Sequence, residues 1–326
     1  MRALVTGGAG FIGSHVVEQL QGQAEVRVLD NLRSGFRHNL TGFSHEFVQG
    51  SITDREAVRR AMEGVDFVFH LAAMVSVPES VQNPVACNEI NTTGTLIVLE
   101  EAAWAGVRKL LFSSSAAIYG NNPTTPKIET MLPEPKSPYA VTKLDGEYYC
   151  KMFTGQGRLA TASLRYFNVF GPRQDPMSQY AAAVPAFIER AIKNEPLIIF
   201  GDGAQTRDFV YVKDIAAANI FLATQSPGMG VFNVGYGERT SIKELASAIC
   251  ESAGARSKIQ HAPERPGDVK HSLAATDKLR AAGFNARGNF REGLNATVDF
   301  FRKKHHETVS QYRSAAEQAD RPRVTV

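Results

Sequence analysis

Ala3-Leu-Val-Thr-Gly-Gly-Ala-Gly-Phe-Ile-Gly13 runs from an apolar segment through a glycine turn into the start of an amphipathic stretch. That order predicts a strand over Ala3–Thr6 feeding a helix. Gly7, Gly10 and Gly13 permit the tight turn, let backbone approach a pyrophosphate, and allow close helix-to-strand packing. The helix amino end then faces the anion. An ordinary glycine turn is the competing reading, and Asp30 weighs against it. Asp30 closes the next apolar run, 17 residues beyond Gly13, where a carboxylate accepts hydrogen bonds from an adenosine ribose and repels a 2′-phosphate. NAD is therefore expected over NADP. Arg33 keeps a phosphate-pairing alternative open, against the plainer reading of a solvated loop arginine.

Further short apolar, β-branched runs follow at Glu25–Asp30, Glu46–Gln49, Asp66–Leu71, Lys109–Ser113 and Thr161–Arg165, with helical stretches between them. Such alternation predicts an α/β fold built on a doubly wound, parallel Rossmann sheet over residues 1–172. After Gly171-Pro172 the rhythm changes to a helix near Ala181–Lys193, a turn at Gly201-Asp-Gly203 and mixed elements. Residues 173–304 are read as a smaller mixed α/β C-terminal lobe for substrate, and the polar tail 305–326 is expected to fray. In open α/β sheets the ligand crevice lies at the carboxyl ends of the strands, so the site is expected between the lobes.

A chain of 326 residues with 43% hydrophobic content is long enough for both lobes. Its 36 basic and 33 acidic residues are spread along the chain, without a basic stripe interleaved with aromatics, so nucleic acid is not an expected partner. No apolar run approaches the roughly 18 residues needed to cross a bilayer, and the first residues leave no room for a signal peptide. Cys87, Cys150 and Cys250 fit neither a disulfide framework nor a zinc site. We expect no membrane, no metal and a cytoplasmic protein, with the sequons at Asn39 and Asn91 without meaning.

Tyr139 and Lys143, in Ser137-Pro-Tyr-Ala-Val-Thr-Lys143, stand four residues apart and share a helical face, where an ammonium can favour an ionised phenol. Bringing a tyrosine from pH 10 to about 7 requires roughly 4 kcal/mol of phenolate stabilisation. One screened ammonium rarely gives that; a buried lysine with a positive nicotinamide ring does. Taken singly, Ser113-Ser-Ser115, Tyr139 and Lys143 also read as structural residues. Their joint order argues otherwise.

The glycine loop, Asp30, Leu71-Ala-Ala73, Ser113-Ser-Ser115, Tyr139-x-x-x-Lys143 and Arg165-Tyr-Phe-Asn168 together resemble the extended short-chain dehydrogenase/reductase family, and within it the UDP-hexose 4-epimerases. The resemblance runs from residue 1 to about 300. It implies Ser115, Tyr139 and Lys143 as the catalytic set: Tyr139 takes the sugar 4-hydroxyl proton, Ser115 orients that hydroxyl, and Lys143 bonds the nicotinamide ribose. It implies cofactor contacts from Gly7, Gly10, Phe11, Ile12, Gly13, Asp30, Asn31, Ser51, Ile52, Leu71, Ala72, Ala73, Asn91, Ser113, Tyr139, Lys143 and Tyr166, with Asn91 supporting the lysine through backbone or water. For the UDP-sugar it implies Val75, Ser115, Tyr139, Asn168, Ala183, Val184, Ile198, Phe200, Arg207, Arg265, Asp268 and Ser272. Arg207 and Arg265 would fork onto the diphosphate, Asp268 would meet the uridine ribose, and Phe200 would flank the uracil. Tyr119 is read as packing.

Related dehydratases and decarboxylases carry acids just after the serine or threonine. Here Ala116 and Ala117 follow Ser115, so elimination lacks its general acid and epimerisation through a 4-keto sugar is favoured. Ser272 stands where some hexose-restricted members carry tyrosine, and Ala181-Ala-Ala183 replaces a pattern that often has asparagine, so N-acetylated hexosamines are expected alongside UDP-glucose and UDP-galactose. Ser51 in place of an aspartate and Val75 in place of a lysine weaken contacts on the cofactor side. A uronate 4-epimerase, or an idle dinucleotide-binding regulator, is the alternative. By analogy a homodimer pairs the helices near 88–105 and 139–154, with Leu96, Leu99, Ala103 and Tyr148 as apolar contacts.

Overall fold

The computed structural model describes residues 1–175, 183–264 and 270–319, the side chains to residue 307. In chain order the first part holds β1 (Arg2–Thr6), α1 (Phe11–Gln19), β2 (Glu25–Asp30), β3 (Glu46–Gln49), α2 (Arg55–Met62), β4 (Phe67–His70), α3 (Val77–Gln82) and α4 (Pro84–Asn88). A single π-helical turn over Glu89–Thr93 leads into α5 (Gly94–Trp104), followed by β5 (Lys109–Ser115), α6 (Pro138–Gly155), β6 (Thr161–Tyr166) and β7 (Asn168–Phe170). Then come α7 (Ala183–Ile192), β8 (Leu197–Phe200), β9 (Thr206–Arg207), β10 (Phe209–Tyr211), α8 (Val212–Thr224), β11 (Gly230–Val234), β12 (Thr240–Ser241), α9 (Ile242–Ala253), β13 (Ile259–Ala262), α10 (Asp277–Ala281) and α11 (Phe290–Ala319).

Seven parallel strands form the sheet in the order β11-β6-β5-β4-β1-β2-β3. Side chains alternate across it, and both faces are dry. Ala3 and Val5 of β1, with Leu111 and Leu164, face the layer of α1 and α8. Leu4, Val68, Leu110 and Phe112 face α2, α5 and α6. Burial on both faces explains why these strands read as continuous apolar runs.

The sheet does not stop at Pro172. Gly230–Val234 supplies its seventh strand, paired with β6 from Gly230↔Ala162 to Val234↔Tyr166, and α8 covers one face. The segment assigned to the second lobe thus returns to the first; a five-residue edge strand that opens on Gly230 and carries the polar Asn233 has too weak an apolar pattern to announce itself. Lys109 helps to join them, its ammonium donating to the carbonyls of Leu222 in the last turn of α8 at 2.6 Å and of Gly228 beyond it at 2.7 Å.

The second lobe has its own core, in which Phe170, Val184, Phe187, Leu245, Ile249, Leu294 and Phe301 pack together between α7, α9 and α11. Three strand pairs, β7 with β10, β8 with β13 and β9 with β12, frame it. Helix α11 runs on through the polar segment to Ala319. Helix propagation from the buried turns at Leu294, Val298 and Phe301 carries the polar sequence along.

Candidate active site

Gly7 sits at φ +70, and a Cβ there would stand 2.8 Å from the Ala72 amide nitrogen. A Cβ on Gly13 would run into the Gly7 carbonyl. Only glycine lets Leu71-Ala72 and the start of α1 close on the loop. Gly10 is the N-cap of α1 and no side chain caps it, so the first-turn amides at Phe11 and Ile12 face the carboxyl end of the sheet. That uncapped, close-packed turn suits a pyrophosphate.

Asp30 is buried at 7% exposure; one carboxylate oxygen accepts from Ala9 N at 2.9 Å and the other from Leu32 N at 2.8 Å. Burial pushes its carboxyl up. The carboxylate therefore shapes the glycine loop as well as facing the crevice, each oxygen keeping a second lone pair for a ribose. Asn31 is exposed and accepts from Arg33 N at 3.1 Å. Arg33 is not simply solvated: its guanidinium meets the Glu79 carboxylate at 2.5 Å. Ser51 spends its hydroxyl on Thr53 at 2.8 Å, and Ile52 is buried beneath Gly94.

Helix α6 starts cleanly because Ser137 caps Ala140 N and Pro138 takes the first position. Tyr139 is half-buried, with Ser115 beside its phenol, and the Ser115 hydroxyl accepts from Ala117 N at 3.1 Å. Burial pushes the Tyr139 phenol up, and Ser115 draws it back only in part. Lys143, 3% exposed, donates to the Ser113 carbonyl at 2.7 Å and is lowered to about 8 by burial. Its ammonium also stands 5.8 Å from the centre of the Tyr139 ring, and a cofactor with a positive ring, if bound beside them, would add to the stabilisation of the phenolate.

Asn91 lies in the π turn, a distortion that recurs at functional sites. Its oxygen accepts from Met74 N at 2.7 Å and its amide donates to Thr142 Oγ1 at 3.0 Å. It reaches the neighbour of Lys143, so its support of the lysine runs through α6. Tyr166 is buried against the sheet and donates to Asn219 Oδ1 at 3.0 Å. Tyr119 does pack, yet its hydroxyl joins Arg165 at 2.8 Å and Asn233 at 2.7 Å.

On the other wall, Ile198 and Phe200 lie on one face of β8, opposite the core residues Leu197 and Ile199. Arg207 donates to the Thr206 carbonyl at 3.0 Å and Ser272 N to the same oxygen at 3.1 Å, so these two candidates adjoin. Asn168 is half-buried, with its amide on the Asp208 carbonyl at 2.9 Å. Val75 is 61% exposed. Ala183 opens α7 half-buried, whereas Val184 is 1% exposed inside the lobe core, where its side chain serves packing. Arg265, Asp268 and Ala181 lie outside the described residues.

Three groups went unrecognised in the sequence. Ser80 is fully buried and accepts from Tyr139 N at 3.2 Å. Glu147 and Arg165 form a buried pair, with contacts of 2.8 and 2.7 Å, that also holds Ser114. Asp208, pushed up to about 6 by burial, accepts from Tyr236, Gly237 and Ala274 amides. Glu147 alone had a legible signal: it follows Tyr139 and Lys143 at a further four-residue step.

The sequence model of the "NAD dependent epimerase/dehydratase family" matches residues 3–235. The chain is 40% identical to the UDP-N-acetylglucosamine 4-epimerase of Methanobrevibacter ruminantium M1, solved with UDP-N-acetylmuramic acid, over 93% of this chain and 98% of that one, with a TM-score of 0.90. It is 42% identical to the UDP-glucose 4-epimerase of Thermus thermophilus, solved with NAD, over 93% and 99%, with a TM-score of 0.85. The UDP-glucose 4-epimerase of Mycolicibacterium smegmatis is 38% identical across 93% of this chain and 99% of its own. With the family model spanning residues 3–235 and near full-length likeness to these relatives, the chain belongs to the NAD-dependent epimerase/dehydratase family.

Proposed function

We propose that this protein is a UDP-hexose 4-epimerase that works with bound NAD and interconverts UDP-glucose with UDP-galactose. NAD supplies the acceptor and donor of the C4 hydride. Tyr139 removes the proton of the 4-hydroxyl, Ser115 beside the phenol orients that hydroxyl, and Lys143 contributes a buried positive charge fixed on Ser113. After the 4-keto sugar turns over in the pocket, hydride would be added to the opposite face of C4 while Tyr139 gives its proton back to O4. The observation that carries this reading is Lys143, buried on the Ser113 carbonyl and 5.8 Å from the centre of the Tyr139 ring, with Ala116 and Ala117 following Ser115 and supplying no acid for elimination. The test is a panel of UDP-hexoses followed by NMR for wild type and Tyr139→Phe. Elimination products, or full-speed interconversion by the variant, would sink it.

UDP-N-acetylhexosamines belong to the same substrate range, supported by the small Ser272 beside Arg207. No helix among the described residues is long and apolar enough to cross a membrane, and we place the protein in the cytoplasm. We further propose a homodimer. Val141, Tyr148 and Met152 are exposed along α6, with Trp104 at 86% exposure on α5, and a second copy would cover them. Tyr148 is exposed and would take part in that contact, whereas Leu99 is fully buried in the core of its own subunit. Sedimentation of the purified protein decides this.

A further inference from the structure

In the sheet, β1 lies between β4 and β2, so the glycine loop that follows β1 has the β2 loop on one side and the β4 loop on the other. A dinucleotide seated on that loop lies between them. Arg33 comes from the β2 side and Glu79 from the β4 side, and they meet at 2.5 Å. Both ends of this bridge are braced. Asp30 and Asn31 accept the amides of Leu32 and Arg33, and Leu32 takes φ 60, which turns the chain sharply before the arginine. Glu79 lies in the first turn of α3, where Ser76 caps its amide at 3.2 Å.

The next residue on α3 is Ser80. Its hydroxyl donates to Val77 O at 2.6 Å and accepts from the amide of Tyr139 at 3.2 Å. That amide belongs to the first turn of α6, which has no acceptor within its own helix. One short helix therefore touches the far wall of the cofactor crevice through Glu79 and the backbone of the general base through Ser80.

We propose that α3 is a strap across the bound dinucleotide: Arg33 and Glu79 close it over the crevice and slow release of the cofactor, and Ser80 makes the same strap a positioning element for Tyr139. Nicotinamide retention and placement of the base are then properties of one element. The pair is partly exposed, with side-chain exposures of 44% and 37%, so its effect is screened by salt and modest. A contribution at the upper end for such pairs corresponds to about fivefold in release rate.

The test uses the NAD-loaded protein and reads release of NAD after dilution into cofactor-free buffer, independently of any sugar. Arg33→Ala and Glu79→Ala each accelerate release about fivefold at low salt, the double variant no further, and the charge-exchanged Arg33→Glu/Glu79→Arg protein returns toward wild type. At 1 M salt the wild type approaches the variants. Release at wild-type rates in all variants, or single effects that multiply in the double, overturns the strap. For Ser80→Ala, kcat falls about tenfold at unchanged KM, assayed well below a melting temperature that the stranded Tyr139 amide lowers, and Ser80→Thr restores it; an unchanged kcat overturns the positioning role. Because release is read without a UDP-sugar, failure here is separable from failure of the epimerase reading.

Discussion

Lys143 donates to the carbonyl of Ser113 at 2.7 Å, while its nitrogen stands 5.8 Å from the centre of the Tyr139 ring. The two side chains share a helical face, and the ammonium is fixed on strand β5 while it faces the tyrosine ring. A charged group held this way is costly, and burial lowers the lysine from 10.5 to about 8.

Replacing it by methionine therefore separates stability from activity. Lys143→Met loses at least about 10²-fold in turnover. Between pH 8 and 10.5 the folded wild type binds fewer protons than the unfolded chain, so its stability rises with pH across that window. In the variant this rise disappears, and at pH 7 it melts no lower than wild type. Thermal unfolding across the window checks both; an unaltered rise would contradict the burial argument.

Glu147 and Arg165 are 5% and 3% exposed, and β5, β6 and β11 set Ser114, Arg165 and Asn233 in one row beneath the site. Removing one partner strands a buried charge. Glu147→Leu is expected to cost about 3–5 kcal/mol, and adding Arg165→Met to recover part of it. Urea denaturation of both singles and the double gives the coupling, and purely additive losses would count against it.

His70 is buried with a defined tautomer. Thr95 gives its hydroxyl proton to Asn91 O at 2.5 Å, so it accepts from His70 Nε2, and Nδ1 accepts from Thr6. Burial lowers the imidazole from 6.5 to about 3. The unfolded chain then binds the extra proton first, and stability contributed above pH 6.5 is lost as pH falls toward 3, at about 1.4 kcal/mol per unit. In His70→Gln that slope should flatten. Equal slopes in unfolding free energy between pH 4 and 6.5 would refute it.

Ser272→Tyr adds a ring beside Arg207 and the β9 backbone. Turnover of UDP-N-acetylglucosamine should drop at least about tenfold while UDP-glucose changes within about threefold. Equal rates on the N-acetylated sugar before and after the change remove the width argument.

Local chemistry made much of this legible. The strands Glu25–Asp30 and Glu46–Gln49 lie where their apolar patterns end, and the glycine loop falls between a strand and a helix as its spacing requires. The site was harder. Tyr139 and Lys143 are linked by helical periodicity, and Asp30 by its position at a strand end, but the direction of the lysine ammonium depends on a carbonyl 30 residues away.

By itself the sequence determined the parallel sheet, the dinucleotide cradle and the helix that carries the phenol, because each depends on residues within a turn or a strand of one another. Only the tertiary structure decided that Gly230–Val234 completes the sheet, that Ser80 holds the Tyr139 amide, and that Arg33 meets Glu79 across the crevice. Those contacts join residues 46 to about 70 positions apart along the chain, and no local preference records a partnership made only when separate strands come to lie side by side.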